Sequence, residues 1–180
     1  VLISGVLSGA LYAMVALGLA LIYGVMRVIN IAHGPLLMLG AYVTYFLYSR
    51  AGVNPFLSVP VSMAVLFVVG VLLQRTLVVR VVDAPDLSSL LLTFGISIAL
   101  VNLAQNVFTS DLRSVEYLTG SWVIGGLALS KPRFIAFLYA AAMTGLAFLF
   151  LKRTRLGKAI RATSQSREVA MVCGIDVRRI

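Results

Sequence analysis

The sequence predicts an all-α, polytopic integral membrane bundle of about five transmembrane helices, followed by a short cytoplasmic helix. Three observations carry this. Hydrophobic residues make up 61% of the 180 residues and charged residues only 12%, about half the charged share of a soluble domain. Mean hydropathy is +1.02. No Lys, Arg, Asp or Glu occurs in 1–26, 28–49, 51–74, 87–110 or 134–151. A membrane helix needs roughly 20 apolar residues, with a range of about 17–25, and all five runs lie in or near that window.

The first run is long for a signal-peptide core and lacks a basic leader, so it reads as a span. Starting inside a hydrophobic run, the chain reads as a fragment. Gly5, Gly9, Ala13, Ala16, Ala20 and Gly24 recur at helical spacing, and small residues let helix backbones approach closely in lipid. Packing inside the chain's own bundle is expected ahead of a dimer seam.

The next stretch, VMRVINIAHGPLLMLGAY (25–42), is apolar but interrupted by Asn30, His33, Gly34 and Pro35. Pro35 lacks an amide donor and biases Gly34 away from helical dihedrals. A break or tight re-entry is predicted over 30–35, with Pro35 in the first turn of the second span. Irregular backbone at membrane depth survives only when covered by protein or facing a watery cavity. His33 is the one histidine. It reads either as a ligand or gating residue in a translocation path, or as a structural group that satisfies the broken backbone. No second histidine, cysteine or carboxylate stands at ligand spacing, so no metal site is predicted.

A turn around Arg50, Gly52, Asn54 and Pro55 leads to the third span (about 56–74). Loop 75–87 carries Arg75, Arg80, Asp83 and Asp86. The fourth span (about 88–108) contains Thr93, Ser97, Asn102, Gln105 and Asn106. Thr93 and Ser97 share a helix face, as do Asn102 and Asn106. Amides in hydrocarbon are costly, so these groups should face the bundle interior. Interhelical hydrogen bonding or the lining of a hydrophilic path would each explain them, and Asn30, His33, Gly34, Thr93, Ser97 and Asn102 are the candidate path or gate residues. The loop 109–132 holds Asp111, Arg113, Glu116, Trp122, Gly125, Gly126, Lys131 and Pro132. Trp122 would suit a membrane interface. The fifth span runs over about 133–151.

Eight of the fifteen Lys and Arg (Lys152, Arg153, Arg155, Lys158, Arg161, Arg167, Arg178, Arg179) follow the last span. This is the positive-inside bias, and it places 152–180 in the cytoplasm and the first residues outside. It also accounts for the net charge of +9 without a nucleic-acid partner. The chain divides into a transmembrane part, 1–151, and a cytoplasmic loop, 152–180.

Enzymatic chemistry is not visible. No GxxxxGK[ST] nucleotide loop, HExxH or GxSxG occurs, and no cofactor is expected in this chain. The single cysteine, Cys173, excludes an internal disulfide. The tail itself predicts a short helix over Gln165–Cys173. Ser164 or Ser166 caps its start, Glu168 suits the dipole, and Gly174 ends it. Val169, Val172 and Cys173 form an apolar face, while Arg167, Glu168 and Met171 point elsewhere. Nine residues are marginal in water, so the helix needs packing on the membrane part or in a groove of another subunit. The bland alternative is a basic helix resting on anionic headgroups.

Ala170 followed four residues later by Gly174 resembles the loose signature of the cytoplasmic coupling loop of ABC importer permeases. The wider pattern formed by Arg155, Gly157, Ala159, Arg161, Ala162, Gly174, Ile175 and Arg179 is similar to the branched-chain amino acid permease family. So are GALYAMVALGLALIYGVMRVINIAHG (9–34), MLGAY (38–42) and LLTFGISIALVNLAQNVF (91–108). One departure is Ser164-Gln165-Ser166 where an acid often stands near the loop's start; here the acid is Glu168. The family's C-terminal portion is also missing, so the chain corresponds to roughly the first two-thirds of a permease. The resemblance implies an inner-membrane importer subunit for branched-chain or related amino acids. Its implied partners are two ATP-binding cassette subunits carrying ATP and Mg, a second related permease, an external solute-binding protein and the lipid bilayer. It implies a coupling role for Arg167, Glu168, Ala170, Met171, Gly174 and Ile175. A permease of the same type for urea or short-chain amides, and an ATP-independent channel or structural membrane subunit, remain alternatives.

Overall fold

The computed structural model describes residues 2–82, 84–109, 113–115, 117, 120–124 and 127–176, except the side chains of Leu2, Asp86 and 122–129. The expectations on Asp83, Asp111, Glu116, Gly125, Gly126, Arg178, Arg179 and the Trp122 ring lie outside that set. The described elements in chain order are α1 (Leu2–Met26), α2 (His33–Ala51), α3 (Pro55–Thr76), a 3₁₀ turn (Val78–Arg80), α4 (Asp86–Phe108), β1 (Ser121–Ile124), β2 (Leu127–Ser130), α5 (Lys131–Arg153), α6 (Arg155–Gln165) and α7 (Arg167–Val172).

This is a helical, multi-pass membrane protein. Among the described residues, four segments are long and apolar enough to cross a bilayer: Ile3–Met26, Pro55–Arg80, Leu87–Phe108 and Lys131–Arg153. They carry apolar residues on all sides, as lipid-embedded helices do; Phe67, for example, is 72% exposed. The expected second span is α2, a helix of 19 residues. At about 1.5 Å per residue it nearly matches the roughly 30 Å hydrocarbon thickness. Its three tyrosines, Thr44, Ser49 and Arg50 make it more polar than the other four.

The chain divides into two compact units, Val1–Arg27 with Leu118–Ile180, and Val28–Tyr117. In the first, α1 packs along α5, and α6 packs against both. The antiparallel hairpin β1–β2 pairs Ser121 with Ser130 and Ile124 with Leu127, and runs directly into α5. Strands were not expected in this loop. The signal was present: a Gly-Gly pair between short apolar runs is a hairpin sequence. The stripe of small residues on α1 does not pack inside the chain as expected. A Cβ on Gly5 or Gly9 would meet open space, whereas one on Gly24 would lie 3.6 Å from the Ser164 Cβ.

In the second unit α2 and α3 form a tight pair. A Cβ on Gly40 would stand 2.9 Å from Leu66 Cδ1, and the Thr44 and Ser62 hydroxyls share a 3.0 Å hydrogen bond. The turn between these helices is written in its residues. Gly52 ends α2 in the left-handed region at φ +61°. Its N–H donates to Tyr48 O at 3.1 Å and the Val53 N–H to Leu47 O at 3.1 Å, the paired closure that glycine permits. Asn54 then caps α3, accepting from Phe56 N–H at 3.0 Å, with Pro55 in the first turn where its missing N–H costs nothing. The Asn54 amide also donates to Tyr117 Oη at 2.8 Å, tying the following loop to this turn.

Candidate functional site

A break is present, but over 27–32 rather than the predicted 30–35, since His33, Gly34 and Pro35 already belong to α2. Helix α1 ends at Met26, and Arg27 adopts φ +53°, a conformation that L side chains seldom take. Residues 27–30 are non-helical and α2 starts at His33, with His33 N–H donating to Asn30 O at 3.3 Å. The interrupted backbone is satisfied from α4. Thr93 Oγ1 donates to Ile29 O at 2.8 Å and accepts from Ile31 N–H at 3.3 Å. The residue is only 1% exposed, and Val28 and Ala32 on either side of the bonded segment are buried. One hydroxyl therefore serves two backbone groups that hydrocarbon would leave unpaired, each at a cost of several kcal/mol. Asn30 and His33 are half-buried beside it and Gly34 is exposed. Asn30, His33, Gly34 and Thr93 thus gather at one locus. Replacing Thr93 with Val keeps the shape and removes both bonds. The expected loss is about 1–3 kcal/mol, read as a lower melting temperature of the purified full-length protein, with Thr93→Ser restoring most of it.

Ser97, one turn further along α4, is half-buried. Asn102 lies nine residues beyond Thr93, about 13 Å along the helix, and does not join that locus. Asn102 and Asn106 are exposed rather than interior. Their amide nitrogens donate back to their own helix, to Ile98 O at 2.8 Å and Asn102 O at 3.0 Å. Within this chain they therefore make no interhelical bond among the described residues, contrary to expectation. Gly95, with open space beside it, and the exposed Ala99 share their side of α4. The result is a small, amide-bearing face on an otherwise apolar span.

The tail is two helices, not one. Thr154 ends α5 and starts α6: its hydroxyl donates to Phe150 O at 2.7 Å and accepts from Gly157 N–H at 2.9 Å. The elbow is tight. A Cβ on the buried Gly157 would fall onto Phe150 O and stand 2.5 Å from Leu151 Cα, so only glycine lets α6 fold back on the last turn of α5. Beneath α6 an apolar gap of about 260 Å³ remains, lined by Leu21, Val25, Phe150, Leu151 and Ile160 among others. Arg155, Lys158 and Arg161 are exposed on α6. The Thr154 cap ahead of RLGKAIRA was the sequence signal for this helix, and sequence reasoning passed over it.

Ser166 separates α6 from α7. Its φ of −155° and ψ of 117° break the helix, and its hydroxyl accepts from Val169 N–H at 3.4 Å. The far end closes with paired bonds, Ile175 N–H to Ala170 O and Gly174 N–H to Met171 O, both 3.0 Å, with Gly174 at φ +79°. That is the helix-ending motif that uses a left-handed glycine. The four-residue spacing of Ala170 and Gly174 thus has a physical meaning. Gly174 supplies the left-handed turn, and Ala170, 2% exposed, supplies both the acceptor and the small buried contact. The apolar face expected to pack, Val169, Val172 and Cys173, is exposed, Val172 at 87%, and Met171, expected to point elsewhere, is exposed as well. Arg167 and Ile175 are half-buried, and Glu168 is exposed.

A family described as "Branched-chain amino acid transport system / permease component" matches residues 1–180. The chain is 28% identical over 194 residues to the high-affinity branched-chain amino acid transport system permease protein BraD of Pseudomonas aeruginosa, covering 99% of this chain and 63% of that protein. It is 27% identical over 195 residues to the corresponding LivH protein of Escherichia coli K12, covering 98% and 62%. A probable branched-chain amino acid transport permease protein LivH of Methanocaldococcus jannaschii is 28% identical over 179 residues, covering 94% and 56%. The chain therefore spans less than two-thirds of the length of these relatives. No solved structure matches it.

Proposed function

Because the chain belongs to the branched-chain amino acid transport system permease family, we propose that it forms the membrane-spanning part of an ABC importer subunit for branched-chain or related amino acids. The observation that carries the reading is the tail. A helix capped at both ends holds a buried Ala170 on its inner side and presents Val169, Met171 and Val172 outward. It is joined through α6 to the spans α1 and α5. An exposed apolar patch on a charged segment is the mark of a docking site, here for an ATP-binding cassette subunit that brings the ATP and Mg. Arg167, Glu168, Ala170, Met171, Gly174 and Ile175 form or brace that contact.

In this reading the chain lies in the inner membrane with its first residues outside and α6–α7 in the cytoplasm. Motion of the ATP-binding subunits would push α7, and the glycine elbow at Gly157 would pass the push to α5. The apolar gap beneath α6 leaves it room to rock. The membrane bundle then exchanges between inward- and outward-facing states whose populations ATP binding biases. The amide-bearing face of α4 with Asn102, the half-buried Ser97 one turn from Thr93, and the segment Asn30, His33 and Gly34 would line or gate the path once a second related permease covers them. A solute-binding protein would deliver cargo at the outer loops. The test is uptake by the full-length protein, reconstituted with the ATP-binding subunits and binding protein encoded beside it. Leucine, isoleucine and valine should enter the vesicles and stimulate ATP hydrolysis. Uptake of urea or short amides alone, or of any solute without ATP, would overturn the proposal.

A further inference from the structure

The Val28–Tyr117 unit contains a second feature, independent of the transport reading. A groove of about 520 Å³ runs between α2 and α3 and ends beside Phe108 of α4. Its walls include Leu39, Val43, Phe46, Val65 and Leu66, and among the described residues the one charged residue lining it is Arg50, in the last turn of α2. The Arg50 guanidinium stands 5.2 Å from the centre of the Phe46 ring. Arg113 approaches the same ring at 5.8 Å and the Tyr45 ring at 5.4 Å. Arg113 is held there by bonds from its Nη2 to Phe108 O at 2.8 Å and Thr109 Oγ1 at 3.3 Å. Both arginines are exposed. Two guanidinium groups therefore approach one aromatic ring, and one of them, Arg50, lines the apolar slot.

We propose that this groove holds an anionic phospholipid, with an acyl chain along the slot and the phosphate between Arg50 and Arg113. The argument is one of chemistry at both ends. The slot has the volume of a small-molecule site, roughly 300–1,000 Å³. It lies on a helix pair of a membrane protein, and apart from Arg50 and Tyr42 its lining is made of apolar side chains, which offer little to a soluble ligand. Two cations brought to the same ring repel each other, and an anion between them relieves that repulsion. The planar guanidinium fork binds phosphate oxygens in pairs and stacks on aromatic rings at once. Free phosphate would satisfy the arginines but leave the slot empty; a neutral lipid would fill the slot but leave the arginines opposed.

The test uses the full-length protein in its purified complex, exchanged into detergent and supplied with dioleoylphosphatidylglycerol. Native mass spectrometry should show the lipid retained, and the melting temperature should rise with added lipid. The double variant Arg50→Gln/Arg113→Gln replaces two exposed side chains and should fold normally. Its retention of the lipid should fall about tenfold and its melting shift should vanish, while Arg50→Lys/Arg113→Lys keeps part of both. Val43→Trp, which fills the slot, should displace the lipid with both arginines intact. Inorganic phosphate, or the water-soluble glycerophosphoglycerol headgroup, should give no shift. Equal retention by wild type and the double Gln variant would overturn the proposal. So would equal retention of phosphatidylcholine, a full shift with phosphate alone, or a protein helix found seated in the groove.

Discussion

Replacing Gly157 with alanine is expected to cost about 3 kcal/mol or more of local stability, at or above the upper end for overpacking. The reason is that the new methyl meets backbone. Phe150 O and the Leu151 Cα, 2.5 Å away, belong to the last turn of α5 and have no rotamer to change. The elbow must open, which breaks the bond from Gly157 N–H to Thr154 Oγ1 and lifts α6 from α1 and α5. Limited proteolysis of the full-length complex should then cut between residues 152 and 166 far faster than in wild type, while the spans still insert. Uptake should fall to background. Gly145→Ala is the matched control, since a Cβ there meets open space and helix propensity alone favours alanine by roughly 0.5–1 kcal/mol. If Gly157→Ala transports at the wild-type rate, α6 is not a rigid lever.

The second large effect is expected at α7. Ala170→Leu forces three extra carbon atoms into a site that is 2% exposed, an overpacking penalty of about 1–3 kcal/mol. Gly174→Ala puts a side chain at φ +79°, at a cost of about 1–2 kcal/mol. A helix of six residues has little reserve against either. Both variants should lose uptake and substrate-stimulated ATP hydrolysis together, because the docking face loses its shape. Val172→Asp separates shape from contact. Val172 is 87% exposed, so the fold should stand, yet co-purification of the ATP-binding subunit should drop at least tenfold. Wild-type hydrolysis in all three variants would remove α7 from the coupling route.

How legible this molecule was follows from where its signals lie. The spans were readable because hydrocarbon tolerates so few charges: uncharged runs alone located α1, α3, α4 and α5. That a break precedes the second span was readable from Pro35, though it lies at 27–32 rather than 30–35, and the ends of α7 were readable from Ser166 and Gly174, since caps are local. Tertiary features were not. Nothing in the sequence says that Thr93 serves Ile29 and Ile31 across more than sixty residues, or that Gly157 is pressed on a carbonyl. The α4 amides were misplaced by a sound argument. Burial of polar groups inside the bundle holds for a complete assembly, and this chain alone leaves Asn102 and Asn106 exposed. Gly5 and Gly9 on α1 are likewise uncovered. Periodicity placed Val169 and Val172 on one face correctly but not which way that face turns. The buried position proved to be Ala170, because a small side chain is what close helix approach requires.

The central claim is that the exposed face of α7 seats an ATP-binding subunit, and the native Cys173 tests it most directly. Its thiol is exposed at the end of that helix. A short thiol-to-amine cross-linker applied to the reconstituted full-length complex should join Cys173 to the ATP-binding subunit. Cys173→Ala should abolish the product, and ATP should change its yield. A Cys173 that stays freely alkylated in the assembled complex, with no cross-link to that subunit in either nucleotide state, would contradict the account.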